Sequence, residues 1–404
     1  MNILFLTENE ISPMMGGTEH ITDTLATEFR RRGHRCYLCY ANACEMPLMT
    51  DFDAKLRVEE GREEPVLKAF LGENKVDIIV SNLVVINWKR RLLPLLFRLT
   101  RGTGTRMVNC LHAMPGEEVL GSNPENSLYR IFHGRGLATN LKDIALYCVP
   151  GGLVRRLFKG YLKSRYRLMY DNGDCIVTLS ERFFPQVALL GGIPVDDKFE
   201  AIHSALSFNR FATKEEIAAK GREVLLISRM DEKPKRISSA LRIWRRVCRD
   251  PRFDDWHFTI VGGGPDLEWY RRLIRRKHIR RVSLEGRQPD IVPYYLRSAI
   301  FMMTSAYEGW GLTLTEAQQL GAVPIAFHSY ASLPDIITDG ENGCIVKDRD
   351  EAAYAECMMR LMSDDENRRK MACAAVESSR RFRLEVIADQ WLSLFERLLG
   401  EPKD

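Results

Sequence analysis

Two glutamates in one short segment give the clearest chemical signal in this chain. The segment 307–317 follows an apolar run that predicts a strand, and a helix is predicted to begin near Leu312. The N–H groups of Gly311–Thr313 would form an anion site at that helix start. Glu316, one turn in, has the reach to bind a ribose hydroxyl pair, and Glu308 is placed to address a sugar. A structural interpretation stays open, with Glu308 in a surface loop and Glu316 complementing the helix dipole.

Basic residues follow another predicted strand, Val224–Ser228. Arg229 stands at the strand end, and Lys233 and Lys235 come a few residues later. Arginine binds phosphate oxygens through paired hydrogen bonds, and lysine acts as a movable point charge. The loop therefore favours a phosphate or diphosphate ligand, although a solvated loop can have the same composition.

The composition restricts the classes of protein that need to be considered. The 404 residues predict two or three domains. The 59 Lys and Arg against 54 Asp and Glu give a net charge of +5, which is too even for a dedicated nucleic-acid binder. Apolar and charged fractions of 45% and 28% are those of an ordinary globular protein and exclude disordered or coiled-coil classes. No apolar run is long enough to predict a transmembrane helix.

The first residues and the cysteines predict a cytoplasmic protein. The first residues read as a strand and not as a signal peptide, because no basic segment precedes the apolar run. The ten cysteines are scattered, mostly in apolar runs, which favours reduced core thiols. Cys36 and Cys39 form a Cys-x-x-Cys pair, but no second pair or histidines at ligand spacing accompany them, so a zinc site is disfavoured.

Apolar runs alternate with helical spacings through both halves of the chain. Such alternation predicts parallel sheets covered by helices, which bind ligands at the carboxyl ends of their strands. The polar segment Phe208–Arg222 predicts a linker between two such domains. The predicted strands are Asn2–Thr7, Cys36–Tyr40, Val76–Val80, Arg106–Leu111, Cys175–Leu179, Val224–Ser228, Trp256–Val261, Val282–Leu284, Ile300–Met303, Val323–Phe327 and Cys344–Val346.

Two basic amphipathic segments interrupt this pattern in the first half. Asn126–Tyr170 holds nine Arg or Lys against one acid, a local charge of +8, and Trp88–Arg98 is similar in kind. Segments of this type can lie on anionic lipid headgroups. A pair of surface helices with solvated basic faces accounts for the pattern equally well.

Together these motifs resemble the retaining nucleotide-sugar glycosyltransferases of the GT-B fold, specifically glycosyltransferase family four. That family pairs a strand-end arginine and a nearby lysine with two glutamates separated by seven residues, here Arg229, Lys235, Glu308 and Glu316. The resemblance covers the whole chain, including the glycine-rich turn 262–266, and is closer in the second half. It implies two tandem Rossmann-like, doubly wound domains facing a central cleft. Residues 1–207 with a returning helix at 385–404 would bind the acceptor, and residues 208–384 the donor.

The resemblance also implies a role for each matching residue. Arg229 and Lys235 would neutralise the donor diphosphate, with Lys233 competing for the lysine role. Glu316 would bind the ribose, Glu308 would lie beside the transferred sugar, and His112 would hydrogen-bond one of its hydroxyls. The remaining donor-binding positions are Gly16, Gly17, Gly311, Leu312, Thr313 and Ser180.

The implied activity is a hexosyl transfer from a UDP- or GDP-sugar to a glycan or lipid-linked acceptor, with retention and without metal or cofactor. Its setting would be cell-surface polysaccharide or lipopolysaccharide synthesis, in the cytoplasm or on the inner face of the plasma membrane. Asp51-Phe52-Asp53 matches the metal signature of a different glycosyltransferase fold, but such short matches are common. Two alternatives stay open: a two-lobed sugar- or nucleotide-binding module without turnover, and a same-fold nucleotide-sugar epimerase.

Overall fold

The computed structural model describes residues 1–11, 16–43, 52–59, 61–82, 89–117 and 151–400, without the side chains of 89–91 and 151–158. The chain divides into two compact units. The first unit comprises Met1–Ala205 and Leu384–Asp404, and the second comprises Leu206–Arg383.

The first unit is built on a parallel sheet of seven strands in the order β3-β2-β1-β4-β5-β6-β7. All of its strand pairs are parallel. Its central strands are continuous apolar runs because both faces of the sheet are covered by helices. The strands are β1 (Asn2–Leu6), β2 (Arg35–Tyr40), β3 (Ala54–Arg57), β4 (Ile78–Ser81), β5 (Arg106–Leu111), β6 (Cys175–Thr178) and β7 (Phe199–Ala201).

The described helices of the first unit are α1 (Gly17–Arg31), α2 (Glu63–Glu73), α3 (Lys89–Thr100), α4 (Gly151–Asp171) and α5 (Phe184–Gly191). The last helix of the chain, Leu384–Gly400, also belongs to this unit. It packs on α1 through an edge-to-face contact between Phe29 and Phe395, whose ring centroids lie 5.9 Å apart. Arg32 forms an ion pair with Asp389 beside that contact. The C-terminal segment thus returns to the first unit, as predicted.

The second unit repeats the architecture with six parallel strands in the order β10-β9-β8-β11-β12-β13. Its strands are β8 (Gly221–Ile227), β9 (His257–Val261), β10 (Val282–Gly286), β11 (Ser298–Met303), β12 (Val323–His328) and β13 (Cys344–Lys347). Its helices are α6 (Lys214–Ala218), α7 (Glu232–Lys235), α8 (Ile237–Val247), α9 (Leu267–Lys277), α10 (Val292–Arg297), α11 (Leu312–Gln319), α12 (Leu333–Ile336), α13 (Glu351–Ser363) and α14 (Asp365–Ser379); the helix Leu384–Gly400 is α15.

The described parts of the two basic segments use their apolar residues in the core of the first unit. Leu92, Leu93 and Leu96 of α3 are buried, and so are Leu162 and Tyr166 of α4. Exposed basic side chains remain on the other faces, so the structural interpretation accounts for the amphipathic pattern there. Residues 118–150, which hold three of the nine basic residues of the segment Asn126–Tyr170, lie outside the described residues. No helix in the described part of the chain is long and apolar enough to cross a membrane.

The residues considered as metal ligands have other roles where the structure describes them. Burial raises the pKa of the Cys36 and Cys39 thiols to about 12, so both stay protonated at neutral pH. Asp53 accepts hydrogen bonds from the Cys36 N–H at 2.8 Å and from Arg30 at 3.3 Å, which fixes the start of β3. Asp51 lies outside the described residues.

Candidate functional site

Lys235 and Glu308 form the centre of the candidate site in the second unit. Lys235 Nζ lies 2.5 Å from Glu308 Oε1, and the same oxygen accepts a hydrogen bond from Ser305 Oγ at 2.6 Å. The two charged side chains are 22% and 14% exposed, so the pair is partly shielded from water but open on one side. The structure therefore brings together a cation and a carboxylate that are far apart in sequence.

The pairing of β8 with β11 explains this proximity. The two strands are adjacent and parallel, so the segments that follow them start at the same edge of the sheet. Thr304 Oγ1 donates to the carbonyls of Lys235 and Arg236 at 3.0 and 3.1 Å. The N–H of Ala306 donates to the Pro234 carbonyl at 2.7 Å, so the two segments hold each other in place.

The glycine-rich turn after β9 supports the basic loop. A Cβ at Gly262, whose φ is +138°, would lie 1.8 Å from the Ser228 carbonyl oxygen. A Cβ at Gly264 would lie 2.6 to 2.9 Å from backbone atoms of Met230. Asp266, at the end of the turn, accepts a hydrogen bond from the Glu232 N–H at 2.8 Å. Only glycines let this turn approach the loop closely enough to fix it.

The predicted helix start is where the sequence placed it. Gly311, with a φ of +104°, precedes α11, which begins at Leu312. A left-handed φ favours glycine, which here turns the chain into the helix. The N–H groups of Leu312 and Thr313 belong to the first turn, where no carbonyl of the same helix can accept them. This helix start is therefore able to bind an anion.

Glu316 lies in α11 and is almost completely buried, with 6% of its surface exposed. Its Oε1 accepts a hydrogen bond from Ser207 Oγ at 2.6 Å, and its Oε2 accepts one from the Tyr295 hydroxyl at 2.7 Å. Burial, and secondarily the neighbouring carboxylate, raise the pKa of Tyr295 well above its ordinary value. The phenol therefore keeps its proton and donates it in the hydrogen bond to Glu316. Each carboxylate oxygen has a further lone pair that a ribose hydroxyl could use.

Arg229 and Lys233 belong to the same basic segment as Lys235, between β8 and α8. Arg229 is 66% exposed and lies 3.1 Å from Asp231 Oδ2, an ion pair that a phosphate group could replace. Lys233 belongs to the short helix α7 and is half-buried.

His112 is the first residue after β5 in the first unit. Its Nε2 lies 2.9 Å from Asn82 Oδ1, and burial lowers its pKa to about 4. The imidazole is therefore neutral at physiological pH. With Phe5, Thr22 and Trp391 it also lines a small, mostly apolar cavity.

The other predicted positions of the first unit differ in character. Gly16 and Gly17 are exposed at the start of α1, and Gly16 is fully extended, a conformation open to any residue. Ser180 is completely buried, and its Oγ accepts a hydrogen bond from the Arg182 N–H at 3.1 Å. In this chain Ser180 caps a 3-10 turn, so we leave it out of the proposed site.

Several residues that shape these sites were missed by the sequence analysis. Ser305 and Tyr295 contact the two glutamates directly, and Asn82 contacts His112. Polar residues placed directly after buried strands, as at 304–305 and 82, are the one signal that could have indicated them.

Comparison with known proteins finds a family match in the second unit and partial matches to individual relatives. Residues 207–377, all within the second unit, match the family model described as glycosyl transferases group 1. The amylovoran biosynthesis glycosyltransferase AmsD of Erwinia amylovora is 27% identical over 226 residues, which are 55% of this chain and 62% of that protein. The N-acetyl-alpha-D-glucosaminyl L-malate synthase of Bacillus anthracis is 27% identical over 174 residues, or 43% of this chain and 45% of that protein. The chain thus matches less than two thirds of the length of either relative.

The fold extends the similarity to the whole chain. The crystal structure of Anabaena Alr3699/HepE in complex with UDP and glucose has a TM-score of 0.68 at 16% identity, covering 98% of this chain and 100% of that one. At that identity the likeness concerns the fold alone, and it confirms the predicted fold class. The chain therefore has two parallel-sheet α/β domains with the fold of GT-B glycosyltransferases, and the part of it that matches the glycosyl transferases group 1 model is residues 207–377.

Proposed function

We propose that this protein is a retaining hexosyltransferase that moves a hexose from a UDP- or GDP-sugar to a glycan or lipid-linked acceptor, without metal or cofactor. Its proposed setting is the synthesis of cell-surface polysaccharide or lipopolysaccharide in the cytoplasm, in line with the relative named for amylovoran biosynthesis. The observation that carries the proposal is the 2.5 Å pair between Lys235 and Glu308. Glu308 lies in the segment that leads directly into the helix start at Leu312.

The argument is electrostatic. Breaking a sugar–phosphate bond builds negative charge on the departing diphosphate, and preorganised donors and cations stabilise that charge. Arg229 and Lys235 would supply the cations, with Lys233 beside them, and the N–H groups of Leu312 and Thr313 the fixed donors. In the first unit, Gly16 and Gly17 keep their proposed role at the diphosphate and His112 its role at the sugar.

The pair itself offers a way to bind both parts of the donor. Lys235 would exchange its carboxylate partner for phosphate oxygens when the donor binds. Glu308 would then accept hydrogen bonds from sugar hydroxyls, while Glu316 accepts them from the ribose. One site would thus use opposite charges for the diphosphate and the sugar.

The proposed step forms one bond and breaks one. The acceptor oxygen bonds to the anomeric carbon on the face from which the diphosphate leaves, and the bond between that carbon and the phosphate oxygen breaks. Its electron pair stays on the diphosphate, and the acceptor proton passes to a phosphate oxygen. No side-chain nucleophile is needed, and the configuration at the anomeric carbon is retained.

Any membrane contact in this proposal rests on charge. The described leucines of both basic segments lie in the core or pack against it, so exposed residues such as Lys159 and Lys163 would meet anionic headgroups without apolar insertion. Binding to anionic vesicles should then disappear at high salt.

Calorimetric titration with UDP, GDP and ADP, in EDTA and in magnesium, tests the donor site. One diphosphate should bind equally well in both buffers, and Arg229→Ala should weaken it about tenfold, since one charge-assisted contact to phosphate is lost. Lys370→Ala, an exposed lysine of α14, is the matched control and should bind like the wild type. Absence of binding by every diphosphate would refute the proposal.

The reaction is tested with the corresponding nucleotide sugar. NMR of the product should show the anomeric configuration of the donor. Donor binding without any transfer or hydrolysis would instead favour the binding module.

A further inference from the structure

A chain of three hydrogen bonds connects His112 to a backbone carbonyl of α1. Thr22 Oγ1 lies 2.8 Å from the carbonyl oxygen of Thr18, four residues earlier in the helix. Asn82 Nδ2 lies 2.8 Å from Thr22 Oγ1, and Asn82 Oδ1 lies 2.9 Å from His112 Nε2. All four residues belong to the first unit: Thr18 and Thr22 lie in α1, and Asn82 and His112 directly follow β4 and β5.

The direction of every hydrogen bond in this chain follows from the Thr18 carbonyl at its end. A backbone carbonyl only accepts, so the Thr22 hydroxyl must donate its single proton to Thr18. The Thr22 oxygen can then only accept from Asn82, which requires the NH2 group of the amide to face Thr22. The carbonyl of Asn82 consequently faces His112, and Nε2 of His112 must carry a proton to donate to it.

The surroundings leave little freedom to reverse these directions. Thr22 is 2% exposed, so water is not available to replace its bond to Thr18. The N–H of Asn82 donates to the Leu6 carbonyl at 2.9 Å, which ties Asn82 to the edge of the sheet. Because His112 is neutral at physiological pH, only one ring nitrogen carries a proton, and the other has a lone pair that can accept a hydrogen bond.

We propose that Asn82 and Thr22 are positioning residues that hold His112 as the Nε2–H tautomer, so that Nδ1 presents a lone pair to ligand. No partner of Nδ1 lies among the residues that the structure describes. A bare imidazole nitrogen recognises a hydroxyl donor and not a carbonyl or phosphate oxygen. The identity of this hydroxyl rests on the proposed function: it belongs to the transferred sugar, and Nδ1 of His112 accepts a hydrogen bond from it.

Nitrogen-15 NMR of histidine-labelled protein tests the tautomer without any ligand or activity. His112→Gln assigns the signal of His112 among the eight histidines. The wild type should show the Nε2-protonated form alone, whereas Asn82→Leu and Thr22→Val should show a mixture of tautomers. Thr22→Ser keeps the hydroxyl and should restore the single form, and Asn74→Leu, which removes a different amide of the first unit, should leave it unchanged.

Two results would overturn the proposal. One is a wild-type His112 protonated at Nδ1, and the other is a tautomer that does not change in either Asn82→Leu or Thr22→Val while both variants remain folded. The Thr22→Val variant preserves shape, so it keeps the test valid if Asn82→Leu fails to fold.

Donor analogues that lack one hydroxyl each test what Nδ1 binds. One analogue should bind the wild type about fivefold more weakly than the intact sugar, as expected for one neutral hydrogen bond, and this difference should vanish in Asn82→Leu. If all analogues lost the same factor in both proteins, the role of Nδ1 would be refuted. Failure of every nucleotide sugar to bind would refute the proposed function, while the NMR result would still decide the tautomer.

Discussion

The two units hold their functional side chains in place by different kinds of contact. In the second unit, Lys235 and Glu308 lie in segments that follow the neighbouring strands β8 and β11, and backbone hydrogen bonds join those segments directly. In the first unit, His112 is oriented by Asn82, which is oriented in turn by Thr22 on a helix. In the second unit, each of the two segments thus carries a motif that the sequence shows, and backbone hydrogen bonds between the segments bring the two motifs together. The first unit relies on a chain of hydrogen bonds from Thr22 through Asn82 to His112, and these residues belong to no common sequence motif.

The largest effect is expected at the glycine turn beneath the basic loop. Gly262→Ala places a Cβ 1.8 Å from the Ser228 carbonyl oxygen at a φ of +138°, so strain and overlap add. We expect a loss of about 4 kcal/mol in the free energy of unfolding, measured by urea denaturation. Gly340→Ala is the control, since Gly340 has a φ of +77° but no atom within 4 Å, and it should lose only about 1 kcal/mol. Equal losses in the two variants would show that the turn does not support the loop by contact.

The ion pair gives the next effect. Lys235→Met should lower kcat/KM for donor turnover about a hundredfold, which corresponds to about 2.7 kcal/mol, because a half-buried carboxylate then lacks its cation and the diphosphate loses a charge. Glu308→Gln should reduce activity as well, and the double variant should lose less than the product of the two factors. Independent, multiplicative losses would mean that the two residues do not act together.

The burial of His112 in the first unit predicts a pH dependence of the free energy of unfolding. An unfolded histidine binds its proton near pH 6.5, whereas His112 in the folded chain binds it only near 4. Between these values the unfolded chain holds more protons, so the free energy of unfolding should fall by about 2.5 kcal/mol as the pH is lowered from 6.5 to 4. Urea denaturation over this range measures it, and His112→Gln should lack this part of the decrease. A wild type and variant with the same pH profile would contradict the burial of a neutral imidazole.

The smallest effect separates a structural role from a donor-binding role. Ser180→Ala removes the cap of the 3-10 turn and should cost about 1 kcal/mol in thermal unfolding. Donor affinity should stay unchanged because the side chain is completely buried. A clear loss of donor affinity at unchanged stability would return Ser180 to the site.

The fold was largely predictable because buried parallel strands are continuous apolar runs. The predicted strand Arg106–Leu111 agrees with β5 at both ends, and the helix predicted near Leu312 begins there. The strands β3 and β7 were not predicted. The first is a half-buried edge strand and the second has three residues, so neither carries a distinct pattern. The predicted linker contains α6, a short helix with a capping box from Thr213 that composition alone did not reveal.

The sequence by itself determined which residues are available for chemistry in the second unit. Arginine, lysine, two glutamates and the glycines sit at strand ends and a helix start, and local spacing fixes those positions. The tertiary structure alone decided what each group does there. It paired Lys235 with Glu308, buried Glu316 between Ser207 and Tyr295, and set His112 against Asn82. Hydrogen-bond partners and burial depend on residues brought together from distant parts of the chain, and no periodicity along one segment records them.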